Sequence, residues 1–179
     1  MSMENRLEND KIYLDLWRRE GSGQALNKLI RAYEAKVFSL ILYLSGCDWN
    51  TAYEITADCF AETLAELKSS PQEVLPVRLF VRVVHKCRTT KAVLFFDPLK
   101  FINAAEGKKN ILKTANRALH ALPFDEKVML LLRDQANLSY GETAAIMRVP
   151  LGDIKTMTWQ ARNHFREKIE DLMDKGTFS

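Results

Sequence analysis

Apolar positions recur at steps of three and four along most of the chain, and this spacing predicts an all-α protein. Ile12, Tyr13, Leu16 and Trp17 mark a first amphipathic helix, which Gly21-Ser22-Gly23 ends. A longer helix follows from about Ala25 to Ser45. Leu26, Leu29, Ile30, Tyr33, Val37, Ile41 and Leu44 share one of its faces, and Gly46 is placed to terminate it. Asp48 or Asn50 can cap a third helix running to about Lys68, whose inner stripe is Ala52, Ile55, Cys59, Phe60, Thr63 and Leu67. A fourth begins at Pro76 and turns Val77, Phe80, Val81, Val84 and Cys87 inward. Leu79 and Val83 widen its apolar side, which predicts burial on more than one side.

The C-terminal third carries a sharper pattern. Ser139 followed by Glu142 is a capping box, in which each side chain satisfies a backbone N–H left open at a helix start. Ala144 and Ala145 are small enough to let a second helix cross closely. Val149 and Pro150 then interrupt, and proline suits the first position of a new helix. From there Ile154, Thr158, Ala161, Phe165, Ile169 and Leu172 form one face, with Lys155, Thr156, Trp159, Gln160 and Asn163 opposite. Short helix, tight turn and longer helix make a helix-turn-helix, whose second helix docks in the DNA major groove. A helical hairpin buried in a bundle has the same periodicity. Upstream, Asp125 and Glu126 open a helix at its dipole-favoured end, and Val128, Leu131 and Leu132 supply a core for it. Residues 91–114 read as a linker between two helical domains, 1–90 and 115–179, because Asp97-Pro98 breaks any helix and Gly107-Lys108-Lys109-Asn110 is turn-like. Val93, Leu94, Phe95 and Phe96 are unusually apolar for such a connection.

Charge divides the 179 residues unevenly. Residues 1–75 hold 8 Lys/Arg against 12 Asp/Glu, residues 76–117 hold 10 against 2, and residues 118–179 hold 8 against 9. The positive charge that could meet phosphate is therefore concentrated mid-chain. Two helix faces sharpen this. On the third helix Glu54, Asp58, Glu62 and Glu66 succeed one another at i, i+4, which costs about 0.2–0.5 kcal/mol per pair unless something offsets it. A basic partner surface would do so. So would the fourth helix, whose outer face carries Arg78, Arg82 and Lys86 at the same spacing, together with His85 and Arg88. Both readings stand on the sequence.

Cys47, Cys59 and Cys87 are too few and too far apart for a disulfide framework or a Cys-x-x-Cys metal site, so buried free thiols in a reducing compartment are expected. His85, His120 and His164 have neither metal-ligand nor triad spacing. No nucleotide-binding loop, paired catalytic carboxylates or activated nucleophile is present, so neither an enzyme nor a cofactor or metal is expected. No apolar run approaches a membrane span, and the start MSMENRLEND is charged and polar. A cytoplasmic protein with no membrane insertion is the expectation.

The order of these features resembles the bacterial RNA polymerase sigma factors of the extracytoplasmic-function type. Thr51-Ala52-Tyr53-Glu54-Ile55-Thr56-Ala57-Asp58-Cys59-Phe60 is similar to the family's DAED-(L/I)-(T/V)-Q-(E/D)-x-F segment. Ala121-Leu122-Pro123, Leu130-Leu131-Leu132-Arg133, Leu138-Ser139-Tyr140-x-Glu142-x-Ala144 and Val149-Pro150-x-Gly152 resemble its C-terminal domain. The resemblance implies a region 2-like domain that grips the clamp helices of core RNA polymerase and opens the −10 promoter element. It also implies a region 4-like domain that reads the −35 element. Carried over residue by residue, Glu54, Asp58 and Glu62 would bind polymerase, and the resemblance thereby favours a partner surface over the fourth helix as what offsets the acidic stripe. Arg78, Arg82, Lys86 and Arg88 would lie near −10 DNA, and Lys155, Thr156, Trp159, Gln160 and Arg162 on the −35 recognition helix. An anti-sigma factor is a further partner the family implies.

The chain departs from the family at several of these places. Leu79 and Lys86 stand where the fourth helix usually has Trp and Asn, and Ala57 where the acidic helix has Gln. The typical TVKSRLHRAR of the recognition helix reads Asp153-Ile154-Lys155-Thr156-Met157-Thr158-Trp159-Gln160-Ala161-Arg162, so Met157 and Gln160 replace arginines and Asp153 adds a negative charge. Two functions compete, and a third, an unrelated helix-turn-helix repressor, would need a ligand or dimerisation domain and leaves the acidic helix of residues 1–75 unexplained. One is an alternative sigma factor directing promoter-specific initiation. The other is a sigma-like interaction module that binds an anti-sigma factor or polymerase without reading DNA sequence.

Overall fold

The computed structural model describes residues 3–69, 74–90 and 106–176, and every regular element within them is helical. Helix α1 (Met3–Glu20) turns through Gly21 into α2 (Gly23–Ser45), whose first turn is closed by the Ser22 hydroxyl accepting from the Ala25 N–H. Gly46 ends α2 with φ of 62°, a left-handed conformation that glycine adopts without steric cost. Asp48 is the residue that caps α3 (Trp49–Ser69): its carboxylate accepts from the Thr51 N–H at 3.0 Å. Helix α4 (Leu75–Thr89) carries Pro76 in its first turn.

Helix α2 is the axis of this group. α1, α3 and α4 all pack on it, and Leu29, Tyr33, Val37, Leu40 and Ile41 are fully buried there. The Tyr33 ring meets Phe80 of α4 edge-on, with centroids 6.3 Å apart. Each such side chain removed from water contributes about 1.5–3 kcal/mol before entropy is counted. Leu79 and Val83 of α4 are both completely buried, because α4 is covered by α2 and α3 on one side and by the helix Tyr140–Met147 on another. The multi-sided burial expected for this helix is present.

The connection from 91 to 105 lies outside the described residues, and with it the apolar run Val93–Phe96. Helix α5 (Glu106–His120) begins earlier than the sequence pattern suggested, so residues 106–114, assigned to the linker, form its first half. The turn-like Gly107-Lys108-Lys109-Asn110 occupies its first turns. Here the spacing of Leu112, Ala115, Asn116, Ala118 and Leu119, which lie against the protein body, outweighs one glycine's roughly 1 kcal/mol helix penalty. Helix α6 (Phe124–Leu130) runs on into a π-helical turn (Leu131–Gln135), closed by Ala136 N–H donating to the Leu131 carbonyl at 2.8 Å. Val128, Leu131 and Leu132 all end up in the core.

Helix α7 (Tyr140–Met147) has both halves of the capping box. The Ser139 hydroxyl accepts from Glu142 N–H at 3.0 Å, and the Glu142 carboxylate accepts from Ser139 N–H at 2.7 Å. Arg148 closes it at φ 56°, and after Pro150 comes α8 (Leu151–Gly176), with Ile154, Thr158 and Ala161 fully buried. The two groups, α1–α4 and α5–α8, share one continuous core in which Leu29, Tyr33 and Val37 belong to the same cluster as Val128, Leu132, Leu138 and Ile146. The seams are α4 on α7, and α2 on α6 and the π-helical turn.

Candidate functional site

The acidic stripe of α3 and the basic stripe of α4 face each other. Lys86 lies 3.3 Å from Asp58 and 2.8 Å from Glu62; Arg82 lies 2.6 Å from Glu62 and 2.5 Å from Glu66; Arg78 lies 3.4 Å from Glu66. Ascending numbers on α3 meet descending numbers on α4, so the helices run antiparallel and the two i, i+4 series interlock. The like-charge cost along α3 is thus offset inside the molecule. Hydrogen bonds from Lys86, then from Arg82, hold the Glu62 carboxyl below its usual range, and the same Glu62 contact raises the Lys86 ammonium above its own. Arg82 also donates from Nε to the hydroxyl of the buried Thr63 at 3.3 Å. Glu54 sits one turn before this ladder and is exposed to solvent, beside Tyr53, which is 68% exposed.

Arg88 leaves the ladder altogether. Its guanidinium lies 2.5 Å from Asp125 and stacks 4.6 Å from the centre of the Phe124 ring, both at the start of α6. The four basic residues of α4 therefore all have acidic partners in this arrangement, three on α3 and one across the seam. A cleft of about 340 Å³ opens along that seam, lined by Val81 and Val84 of α4, Ile146 and Met147 of α7, and Met157 of α8.

On α8, Lys155, Thr156, Trp159 and Gln160 are exposed together, with Trp159 at 63%. Their common face follows from the burial of Ile154, Thr158 and Ala161 on the other side, which fixes the helix's rotation. Arg162 is turned back toward the protein, where it makes a fork to Asp134 of the π-helical turn at 2.5 and 3.2 Å. Donating to that carboxylate strengthens the guanidinium's hold on its proton. Asp153 is exposed at the helix start. Near this exposed face Tyr140 is flanked by two cations: the Arg133 guanidinium 4.0 Å and the Lys155 ammonium 5.8 Å from its ring centre.

Three features were not singled out from the pattern. Tyr53 reads from sequence as one more helical position, although an aromatic at an otherwise polar position is the signal that could have marked it. Arg133 and Tyr140 are seven residues apart across a turn. Arg6 of α1 lies 2.5 Å from Glu142, the capping carboxylate of α7, and donates to the Asn137 carbonyl at 3.5 Å. Near it the Tyr33 hydroxyl donates to the carboxylate of Asp10. Burial raises the Asp10 carboxyl above its usual range and, with Asp10 itself, raises the Tyr33 phenol.

Cys47, Cys59 and Cys87 are buried and free. Burial lifts all three thiols, Cys59 to about 11, so they stay protonated and unreactive at neutral pH. Among the described residues no group of His, Cys, Asp and Glu is arranged to hold a metal ion, and no helix is long and apolar enough to cross a membrane.

A comparison with protein-family models finds no match. Over 55 residues the chain is 38% identical to the ECF RNA polymerase sigma-E factor of Haemophilus influenzae, covering 31% of this chain and 29% of that protein. Over 57 residues it is 35% identical to the sigma-E factors of Escherichia coli K12 and Salmonella typhimurium LT2, covering 32% of this chain and 30% of each. The chain thus matches under a third of the length of these curated relatives. In fold the likeness is far broader. CnrH, solved in complex with the cytosolic domain of CnrY, superposes with a TM-score of 0.69 at 17% identity, covering 93% of this chain and 98% of CnrH. The sigma factor RpoE of Bartonella quintana, solved with the anti-sigma factor NepR, superposes at 0.62 and 19% identity, covering 81% of this chain and 96% of RpoE. In sequence the chain is similar to the ECF RNA polymerase sigma-E factors over a short stretch, and in fold it is similar to CnrH and to the sigma factor RpoE over most of its length.

Proposed function

We propose that the protein is a sigma factor: a non-enzymatic, cytoplasmic subunit that binds core RNA polymerase and directs it to a small set of promoters. The observation that carries the reading is the helix-turn-helix of α7 and α8. It presents an exposed row of Lys155, Thr156, Trp159 and Gln160 on a fold similar to that of the sigma factor RpoE. In this reading the row enters the major groove at the −35 element, where a glutamine suits adenine and a lysine suits guanine or phosphate. Helix α3 contacts the polymerase clamp through Glu54 and Asp58, with Tyr53 beside them. Glu62 belongs more to the ladder than to the contact surface. Helix α4 approaches −10 DNA, its Arg78, Arg82, Lys86 and Arg88 exchanging carboxylate partners for phosphates. Covalent tethering of the two helical groups compensates for a C-terminal group of little net positive charge.

A second reading has its own support. The carboxylate partners of all four α4 cations, and the Arg162–Asp134 fork, favour an interaction module that binds polymerase or an anti-sigma protein and reads no DNA sequence. Reconstitution separates the two: the protein is added to core polymerase, and transcripts from fragmented genomic DNA are sequenced. Discrete start sites sharing −10 and −35 elements, lost with Glu54→Arg plus Asp58→Arg, support the sigma reading. Among the described residues that pair of changes removes one ion pair, Asp58–Lys86 at 3.3 Å with Asp58 66% exposed, so it should leave folding nearly intact at a cost of about 0.2–1 kcal/mol. Polymerase binding without start-site selection supports the module. No polymerase binding, with polymerase competent for a control sigma, refutes the sigma reading and leaves the module only as a binder of an anti-sigma protein.

A further inference from the structure

Arg6 and Glu142 are joined although 136 residues separate them, and neither is a surface residue: their side chains are 12% and 6% exposed. An ion pair this deeply desolvated adds little net stability, because the attraction mostly repays the loss of water. Removing one partner, however, strongly disfavours any state that keeps the other buried. Its effect is selective: only the arrangement that brings α1 against α7 pairs these two charges with each other. The capping geometry of α7 does not depend on it. One Glu142 oxygen, Oε2, accepts from Ser139 N–H, while the other, Oε1, receives Arg6. Loss of Arg6 therefore leaves the capping hydrogen bonds in place and removes what ties α7 to α1. On the far side the same seam is held by Arg88–Asp125, both more than half exposed, and is incompletely filled, with its 340 Å³ cleft.

We infer that Arg6 is a latch that keeps the helix-turn-helix closed against the first helical group, and that release at the α4–α7 seam is a step separate from unfolding. Opening frees Arg88 and the Val81 and Val84 side of α4, and lets the faces of α4 and α8 move relative to each other. The regulatory meaning of this step, a closed form poorly suited to bridging two DNA elements, rests on the sigma-factor reading; the latch itself does not.

The test uses the full chain alone, without DNA or polymerase, so its failure leaves the sigma reading standing and a failed transcription assay leaves the latch standing. Arg6→Gln is compared with the parent by small-angle scattering and by native-state hydrogen exchange. A latch predicts a larger radius of gyration and exchange at least about tenfold faster in α7, with α2 and α3 still protected. Unchanged scattering and exchange would overturn it. So would faster exchange throughout α2, α3 and α7 together, because Arg6 would then be an ordinary structural residue whose loss unfolds the whole molecule.

Discussion

Replacing Arg82 by Met tests whether the α3 stripe is offset from within. Methionine keeps much of the arginine stem's packing volume and removes the charge. Two carboxylates then lose a guanidinium that lies 2.6 and 2.5 Å away, at sites 45% and 34% exposed. Partly exposed pairs of this kind are worth about 0.5–1 kcal/mol each. The buried Thr63 hydroxyl loses the Nε donor at 3.3 Å, which adds about 1 kcal/mol. Glu62 and Glu66, four residues apart, are left to repel each other for a further ~0.3 kcal/mol. The expected loss is about 2–3 kcal/mol, or roughly 4–12 °C in Tm for a chain of this size. Thermal and urea unfolding followed by far-UV circular dichroism would measure it. In 1 M NaCl, where screening acts over about 3 Å, the difference from the parent should shrink toward the Thr63 contribution. Arg82→Lys should lose about half as much, because an ammonium cannot serve both carboxylates with a planar fork. A methionine variant within about 0.5 kcal/mol of the parent at low salt would refute the reasoning, and the acidic face would have to be treated as solvated.

Two further predictions follow from local chemistry. Arg148 closes α7 in the left-handed region at φ 56°, so Arg148→Gly should stabilise the fold by about 0.5–1 kcal/mol, read as a raised urea midpoint. Burial and then the nearby Lys127 charge hold the His120 imidazole below its ordinary value of 6.5. The unfolded chain thus takes up this proton first, so the stability His120 contributes is full above pH 6.5 and is lost as pH falls from there through the lowered folded value. Urea midpoints of the parent should decline over that acid window relative to those of His120→Gln; parallel curves would remove His120 from the account.

Helix identity and facing were legible because each buried stripe lies within a single helix. Leu29, Tyr33, Val37 and Ile41 declare the inner face of α2, and Ile154, Thr158 and Ala161 that of α8, without reference to any other part of the chain. Ser139 and Glu142 are legible for the same reason, since a capping box is closed within four residues. The start of α5 was misplaced because one glycine and two lysines look like a turn, whereas helix breaking is cumulative and a single glycine is outweighed by the apolar face behind it. The candidate site was legible only as separate faces. Pattern could put acids on α3 and bases on α4 and could set out both outcomes; it could not choose, because the choice depends on the direction in which two helices cross. The departure of Arg88 to Asp125, of Arg162 to Asp134, and of Arg6 to Glu142 is of the same kind. Each joins residues 28 to 136 positions apart, and no local period encodes such a meeting.

The Arg6–Glu142 contact also sets a timetable for synthesis. A ribosome adding about 5–20 residues per second makes Arg6 some 7 to 27 seconds before its partner 136 residues later. Once residue 84 has been added, and until α7 is translated, the first helical group has the Val81 and Val84 flank of α4 uncovered. The nascent chain thus exposes an apolar seam that only its own last third can cover. Rare codons or a pause between residues 90 and 140 would lengthen that exposure and raise the demand for a holding chaperone, whatever the stability of the finished protein.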